Sequence, residues 1–187
     1  MVIMVNDVDT SLLTVAKSKN NQYLQLGMNK IQIQTPWITL PRFPLTGKNF
    51  VKATDESVAL NIPIAEDSDL YKFFTEVDNY LAGKMLMPNK TLHKLVSTKE
   101  GQHSVKFKLY LNTPVFVEKV EKKLLNIYDF YEYLQEGREV RIIFNFTKLW
   151  TLNNTYGFSI RAEKLQLKEV QMQKSVLDRI NEADFGD

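Results

Sequence analysis

The chain has 187 residues, enough for one well-buried domain with an attached tail and too few for two ordinary domains. Hydrophobic residues make up 44% and charged residues 25%, which excludes wholesale disorder; the absence of cysteine excludes a disulfide framework, a thiolate metal site and a cysteine nucleophile. The formal net charge of +2 hides an uneven distribution, since Lys84, Lys90, Lys94, Lys99, Lys106 and Lys108 face only Glu100 in their stretch, whereas Asp178, Glu182, Asp184 and Asp187 crowd the C-terminus against Arg179.

In chain order, Met1 to Asp7 lacks the basic region and small-residue cleavage site of a secretory signal, and no later apolar run reaches the roughly 20 residues of a membrane-spanning helix. An intracellular protein without a membrane segment is the expectation. Gln22 to Met28 and Lys30 to Thr35 alternate as short strands. Pro36, Pro41 and Pro44 then predict an irregular loop or edge segment that carries Trp37, Arg42 and Phe43. Val58, Leu60, Ile62 and Ile64 alternate cleanly, and Pro63 among them predicts an edge strand or the end of one. Asp67 to Ala82 is the clearest helix. Leu70, Phe73, Phe74, Val77 and Leu81 recur at helical spacing, Asp67 or Ser68 caps it, and Gly83 suits its stop.

Val105 to Leu111 places Val105, Phe107, Leu109 and Leu111 on one face and Lys106, Lys108 and Tyr110 on the other. A shorter helix is predicted from Ile127 to Gln135, capped by Asn126 and ended at Gly137. A long alternating strand from Glu139 to Leu152 follows, in which Val140, Ile142, Phe144 and Phe146 oppose Arg141, Ile143 and Asn145. It turns through Asn153, Asn154 and Thr155 and returns from Tyr156, burying Phe158, Ile160 and Ala162. The apolar phase then slips to Leu165 and Leu167, so a bulge is predicted near Glu163 and Lys164. The expected class is mainly β with inserted helices, as a partly open, five-stranded Greek-key barrel of the OB type, with a β-sandwich as the competitor. Residues 1–169 would form this nucleic-acid-binding domain, and 170–187 a C-terminal helix and acidic tail.

Enzyme chemistry is not assembled. Gly47-Lys48 and Gly83-Lys84 lack the upstream glycine of a phosphate loop, and His93 and His103 have no ligand-spaced partners. Glu121-Lys122-Lys123 resembles half of a nuclease site but lacks the preceding acidic half. No cofactor, metal or catalytic group is expected.

What the sequence does offer is cations interleaved with flat rings. Cations track phosphates, and a base stacked on an aromatic face contributes ~1–3 kcal/mol. Lys106, Lys108, Arg141, Lys148 and Arg161 are candidate phosphate contacts; Tyr110, Trp150 and Tyr156 are candidate stacking platforms; Trp37, Arg42 and Phe43 are a further candidate group. Trp150 and Tyr156 equally suit a structural cross-strand pair, and Trp37, Arg42 and Phe43 a hydrophobic lid. At the C-terminus Phe185 stands among acids, where burying it requires a partner or the protein's own groove.

The run Arg141 to Phe146, then Lys148-Leu149-Trp150, a short turn, Tyr156-Gly157 and an alternating return resembles the terminal hairpin of OB-fold single-stranded-DNA-binding proteins of phages and large DNA viruses. The end Glu182, Asp184, Phe185, Asp187 is similar to the tails with which those proteins recruit partners and compete with DNA for the groove. The likeness covers about Val105 to Leu167 and the last six residues; the tail is less acidic than the family's usual one, and the first hundred residues match no part of it. It implies sequence-independent binding of single-stranded DNA (RNA is not distinguished) in viral replication, recombination or repair. It also implies replication or recombination proteins as partners through the tail, compatibility with a homo-oligomer, and a place in bacterial cytoplasm or at a viral replication site. The competing reading is a non-enzymatic virion or replication-complex interaction protein without nucleic-acid binding.

Overall fold

Strands alternating between apolar and polar residues are the main regular structure, because one face of each must be buried and the other need not. The computed structural model describes residues 2–18, 21–26, 32–46, 51–52, 54–85 and 87–169. The predicted C-terminal helix and the tail residues Glu182, Asp184, Phe185 and Asp187 lie outside them.

In order, the strands are β1 (Val2–Met4), β2 (Leu13–Ser18), β3 (Asn21–Leu26), β4 (Gln32–Gln34), β5 (Ile38–Thr39) and β6 (Ser57–Ile64). After α1 (Asp69–Lys84) come β7 (Thr91–Leu92), β8 (Val96–Lys99), β9 (Gln102–Tyr110), β10 (Val115–Val117) and β11 (Val120–Lys122). After α2 (Asp129–Tyr133) come β12 (Glu139–Phe146), β13 (Trp150–Leu152), β14 (Thr155–Gly157) and β15 (Ile160–Leu167).

The main sheet is mixed, runs β1-β4-β12-β15-β10-β11, and does not close into a barrel. It is partly open and mainly β, as expected, although its ten described strands exceed the five of the predicted barrel. Strand β9 lies beside the early part of β15, in parallel register with Ile160 opposite Phe107, and carries β6 antiparallel on its other edge. Beyond a turn, β10 continues along the same flank of β15, with Phe116 opposite Gln166. Strand β6 is an edge among the described residues: past it the Pro44–Thr46 segment makes isolated contacts, Asn61 N–H donating to Pro44 O and Thr46 N–H to Ala59 O. The hairpin β2–β3 and the set β13-β14-β7 form two smaller sheets.

The inner face is aromatic. Phe144 of β12 packs edge-on to Phe107 of β9 at 5.4 Å between ring centroids and against Phe74 of α1 at 5.6 Å. Helix α1 therefore lies on the core side of the sheet and does not cover the other side. It starts where Ser68 accepts the Tyr71 N–H, which satisfies one of the unpaired donors of the first turn. Asp78, buried on α1, accepts the backbone N–H groups of Leu95 and Val96 and ties the helix to β8. Desolvation holds its carboxyl above the usual carboxylate range, even against those two donors.

The phase slip in β15 is a bulge. Ile143 faces Lys164 but Phe144 faces Ala162, so Glu163 is the extra residue. Two expectations are corrected. The strand predicted to run unbroken from Glu139 to Leu152 stops at Phe146, since Lys148 bridges to Tyr23 and the Leu149 N–H donates to Gln22 O of the neighbouring hairpin; pairing resumes only in β13. The second helix is also shorter than predicted. Asn126 accepts the Tyr128 N–H in a turn rather than capping a helix, and Gly137, at φ +76°, swings the chain back so that its N–H meets Leu40 O.

Candidate nucleic-acid interface

The face of the sheet away from α1 is where the outward halves of the alternating strands meet. From β6 it takes Ala59 and Asn61, from β9 Lys106, Lys108 and Tyr110, from β15 Arg161, Lys164 and Gln166, and from β12 Arg141, Ile143 and Asn145. Register makes these neighbours. Lys108 lies opposite Ala59 on one side and Arg161 on the other; Lys164 lies opposite Ile143, and Gln166 opposite Arg141. The bulge matters here, because it returns the chain to the outward side at Lys164, one residue earlier than in a regular strand, and sets Glu163 and Lys164 side by side there.

Cations and rings on this face are paired. The Arg161 guanidinium sits 4.8 Å from the Tyr110 ring centroid, the Lys164 ammonium 4.0 Å from Phe116, the Arg141 guanidinium 4.5 Å from Trp37, and the Lys168 ammonium 5.0 Å from the same Trp37. Each pair lies within the range at which a ring quadrupole attracts a cation. From Arg161 to Lys168 is seven residues of extended chain, roughly 23 Å at ~3.3 Å per residue, so the pairs form a band along β15. Two carboxylates enter the band, and each is occupied: Glu163 lies 3.2 Å from Arg161 Nε, and Glu139 accepts from Lys168 Nζ at 2.7 Å. The Arg161 contact is a charge contact rather than an aligned hydrogen bond, since its Nε has no hydrogen-bond partner. Among the described residues no carboxylate pairs with Lys106, Lys108, Arg141 or Lys164. Lys108 and Arg161, directly opposite one another, repel, and an anion laid between them removes that cost.

The sequence candidates divide accordingly. Lys106, Lys108, Tyr110, Arg141, Arg161 and Trp37 come together on this face. Arg42 and Phe43 do not join it through any described contact; Phe43 is 76% exposed and its ring is covered only by Arg42, at 5.3 Å. Lys148 is exposed but sits at the bridge to Tyr23, off the main sheet. Trp150 belongs to the β13-β14-β7 sheet, half-buried, with its ring tilted against His93 at 5.5 Å and its Nε1 buried without a partner. A Cβ on Gly157 would lie 3.0 Å from His93 O and 3.3 Å from that indole, so glycine there is what lets His93 and Trp150 approach the strand between them. Tyr156 needs correction. It is 3% exposed with its hydroxyl donated to Met85 O, which makes it a core residue with no face open to a base.

Three side chains of the band were not among the candidates. Lys164 was readable as outward from the slip it creates, and Lys168 from the alternation beyond it. Phe116 lies in a three-residue strand between Pro114 and Glu118, too short for periodicity to assign a face.

No family model matches the chain, and no curated protein is similar to it. Solved structures similar to it include the single-stranded DNA-binding protein from bacteriophage Enc34, at 12% identity and a TM-score of 0.49 over 87% of this chain and 97% of that one. A C-terminal truncation of that protein gives 0.48 over 85% and 94%, and its complex with ssDNA 0.48 over 84% and 95%, both at 12% identity. A likeness this loose assigns neither fold nor ligand.

Proposed function

We propose that this chain is a non-enzymatic, sequence-independent single-stranded-DNA-binding protein acting in viral DNA replication, recombination or repair. The observation that carries the reading is the band along β15, where four cation–ring pairs lie on one continuous outward surface. Phosphates of an unpaired strand would draw Arg161, Lys164, Arg141 and Lys168 off their rings, beside the exposed Lys106 and Lys108. Bases would then occupy the exposed faces of Tyr110, Phe116 and Trp37. A duplex offers phosphates but no open base faces, so the same surface favours unpaired strands. The replication role rests on the likeness of Arg141 to Gly157 and of the acidic, Phe-containing end to phage and viral proteins of this kind.

Titration of labelled oligo-dT and of a duplex of equal length, each at two salt concentrations, tests the proposal. Tight, salt-sensitive binding of the single strand and weaker binding of the duplex is the expected result; equal binding of both, or none, rejects it. The tail is proposed to recruit partner proteins and to compete for the basic face. Truncation after Ile180 removes Glu182, Asp184 and Asp187, so the shortened chain should bind oligo-dT more tightly at low salt, and unchanged affinity would end the competition idea.

A further inference from the structure

Between β4, β12 and β15 the outward face sinks into a cleft of about 120 Å³ lined by Gln34, Arg141, Ile143, Lys164 and Gln166. That is room for several waters and for a phosphate group. Two cations converge on this small space with no carboxylate among its lining residues. Neither cation is paired with a described carboxylate. Two like charges facing one cleft repel each other. A single anion between them relieves that cost. The glutamines supply neutral hydrogen-bonding groups at the rim; the Gln34 Nε2 donates one N–H to Met4 Sδ at 2.9 Å, which leaves its second N–H as a donor for an anion.

The two cations are also the ones stacked on separate rings, Arg141 on Trp37 and Lys164 on Phe116. The cleft therefore lies between two flat platforms. We infer that it is the seat of one internal phosphodiester, with the bases on either side of that linkage stacking on Trp37 and Phe116. This rests on the single-strand reading and adds a fixed register to it. Elsewhere on the face a linkage meets a single cation, such as exposed Lys106 or Lys108, whereas one linkage is held by a half-buried Arg and a half-buried Lys together.

The test scans a neutral methylphosphonate through each linkage of the shortest oligo-dT that binds the full chain with full affinity. Charge-assisted hydrogen bonds of the seated phosphate predict that one linkage costs about tenfold or more in affinity while the others cost little. In Lys164→Met, which keeps an unbranched chain against Phe116 but no charge, the excess at that linkage should vanish, and Arg141→Met should behave in the same way. Equal costs at every linkage, or an excess that survives both substitutions, overturns the seat. Displacement of the unmodified oligonucleotide by millimolar inorganic phosphate, beyond that caused by chloride at matched ionic strength, would assign the cleft to free phosphate and also overturn it. Failure of the unmodified oligonucleotide to bind at all would instead remove the single-strand reading itself.

Discussion

Replacing Lys106 and Lys108 together by Gln isolates the electrostatic part of the account. Both are exposed on the outward side of β9, opposite Asn61 and Ala59, and neither is paired with a described carboxylate. The neighbours Val105, Phe107 and Leu109 carry the packing of that strand, so the double variant should keep its stability to within about 0.5 kcal/mol. For single strands each neutralised phosphate adds ~0.7 to the negative slope of log affinity against log salt, and removing two contacts should flatten that slope by ~1.4. Between 50 and 200 mM salt, a fourfold change, the gap between wild type and variant should shrink about sevenfold. Fluorescence anisotropy of a labelled oligo-dT across a sodium chloride series reads this directly. Lys72→Gln, on the helix that covers the opposite face of the sheet, serves as the control and should leave the slope alone. Parallel log–log lines for wild type and Lys106→Gln/Lys108→Gln would refute the placement of phosphates along β9.

Tyr110→Leu should weaken oligo-dT binding by ~1–3 kcal/mol without altering the salt slope, because it removes a stacking face and no charge; a changed slope in anisotropy titrations would show that the ring acts through Arg161 instead. Glu163→Gln frees Arg161 from its only described carboxylate, so affinity should rise and the slope should steepen by about 0.7 in the same titrations. Asp78→Ala leaves the Leu95 and Val96 N–H groups without their acceptor, at a cost of roughly 1–3 kcal/mol each, and should lower the urea midpoint. Because the Asp78 carboxyl titrates above its ordinary range in the folded chain, its contribution is fullest below the ordinary carboxylate pKa and fades as pH rises through the raised one. The midpoint difference between wild type and Asp78→Ala should therefore be larger at pH 4 than at pH 7.

The sheet was legible wherever one face is wholly apolar. In β6, β9 and β12 alternation alone separates Leu60, Phe107 and Phe144 from Asn61, Lys108 and Arg141, and the break in phase at Glu163 announces the bulge before any coordinate is known. Local patterns failed where distant segments decide. Nothing near Lys148 signals that the β2–β3 hairpin captures the Leu149 N–H and ends the strand, and nothing near Gly137 requires its N–H to meet Leu40 O. Within the site, Tyr110 and Trp37 were separable from Tyr156 only by tertiary packing. All three are amphipathic rings, and among the described residues Tyr156 alone of the three donates its polar group to an internal acceptor, Met85 O. Phe116 escaped notice because a three-residue strand has no measurable period, although it supplies a ring as well placed as Tyr110.

Lysine footprinting puts the central claim to the most direct trial. The full chain is acetylated briefly with and without saturating oligo-dT, and each lysine is quantified by mass spectrometry. A strand lying along β15 predicts strong protection of Lys106, Lys108 and Lys164, with Lys72, Lys90 and Lys99 unchanged. Protection spread evenly over all of them, or confined to Lys90 and Lys99, would contradict the placement of the binding surface.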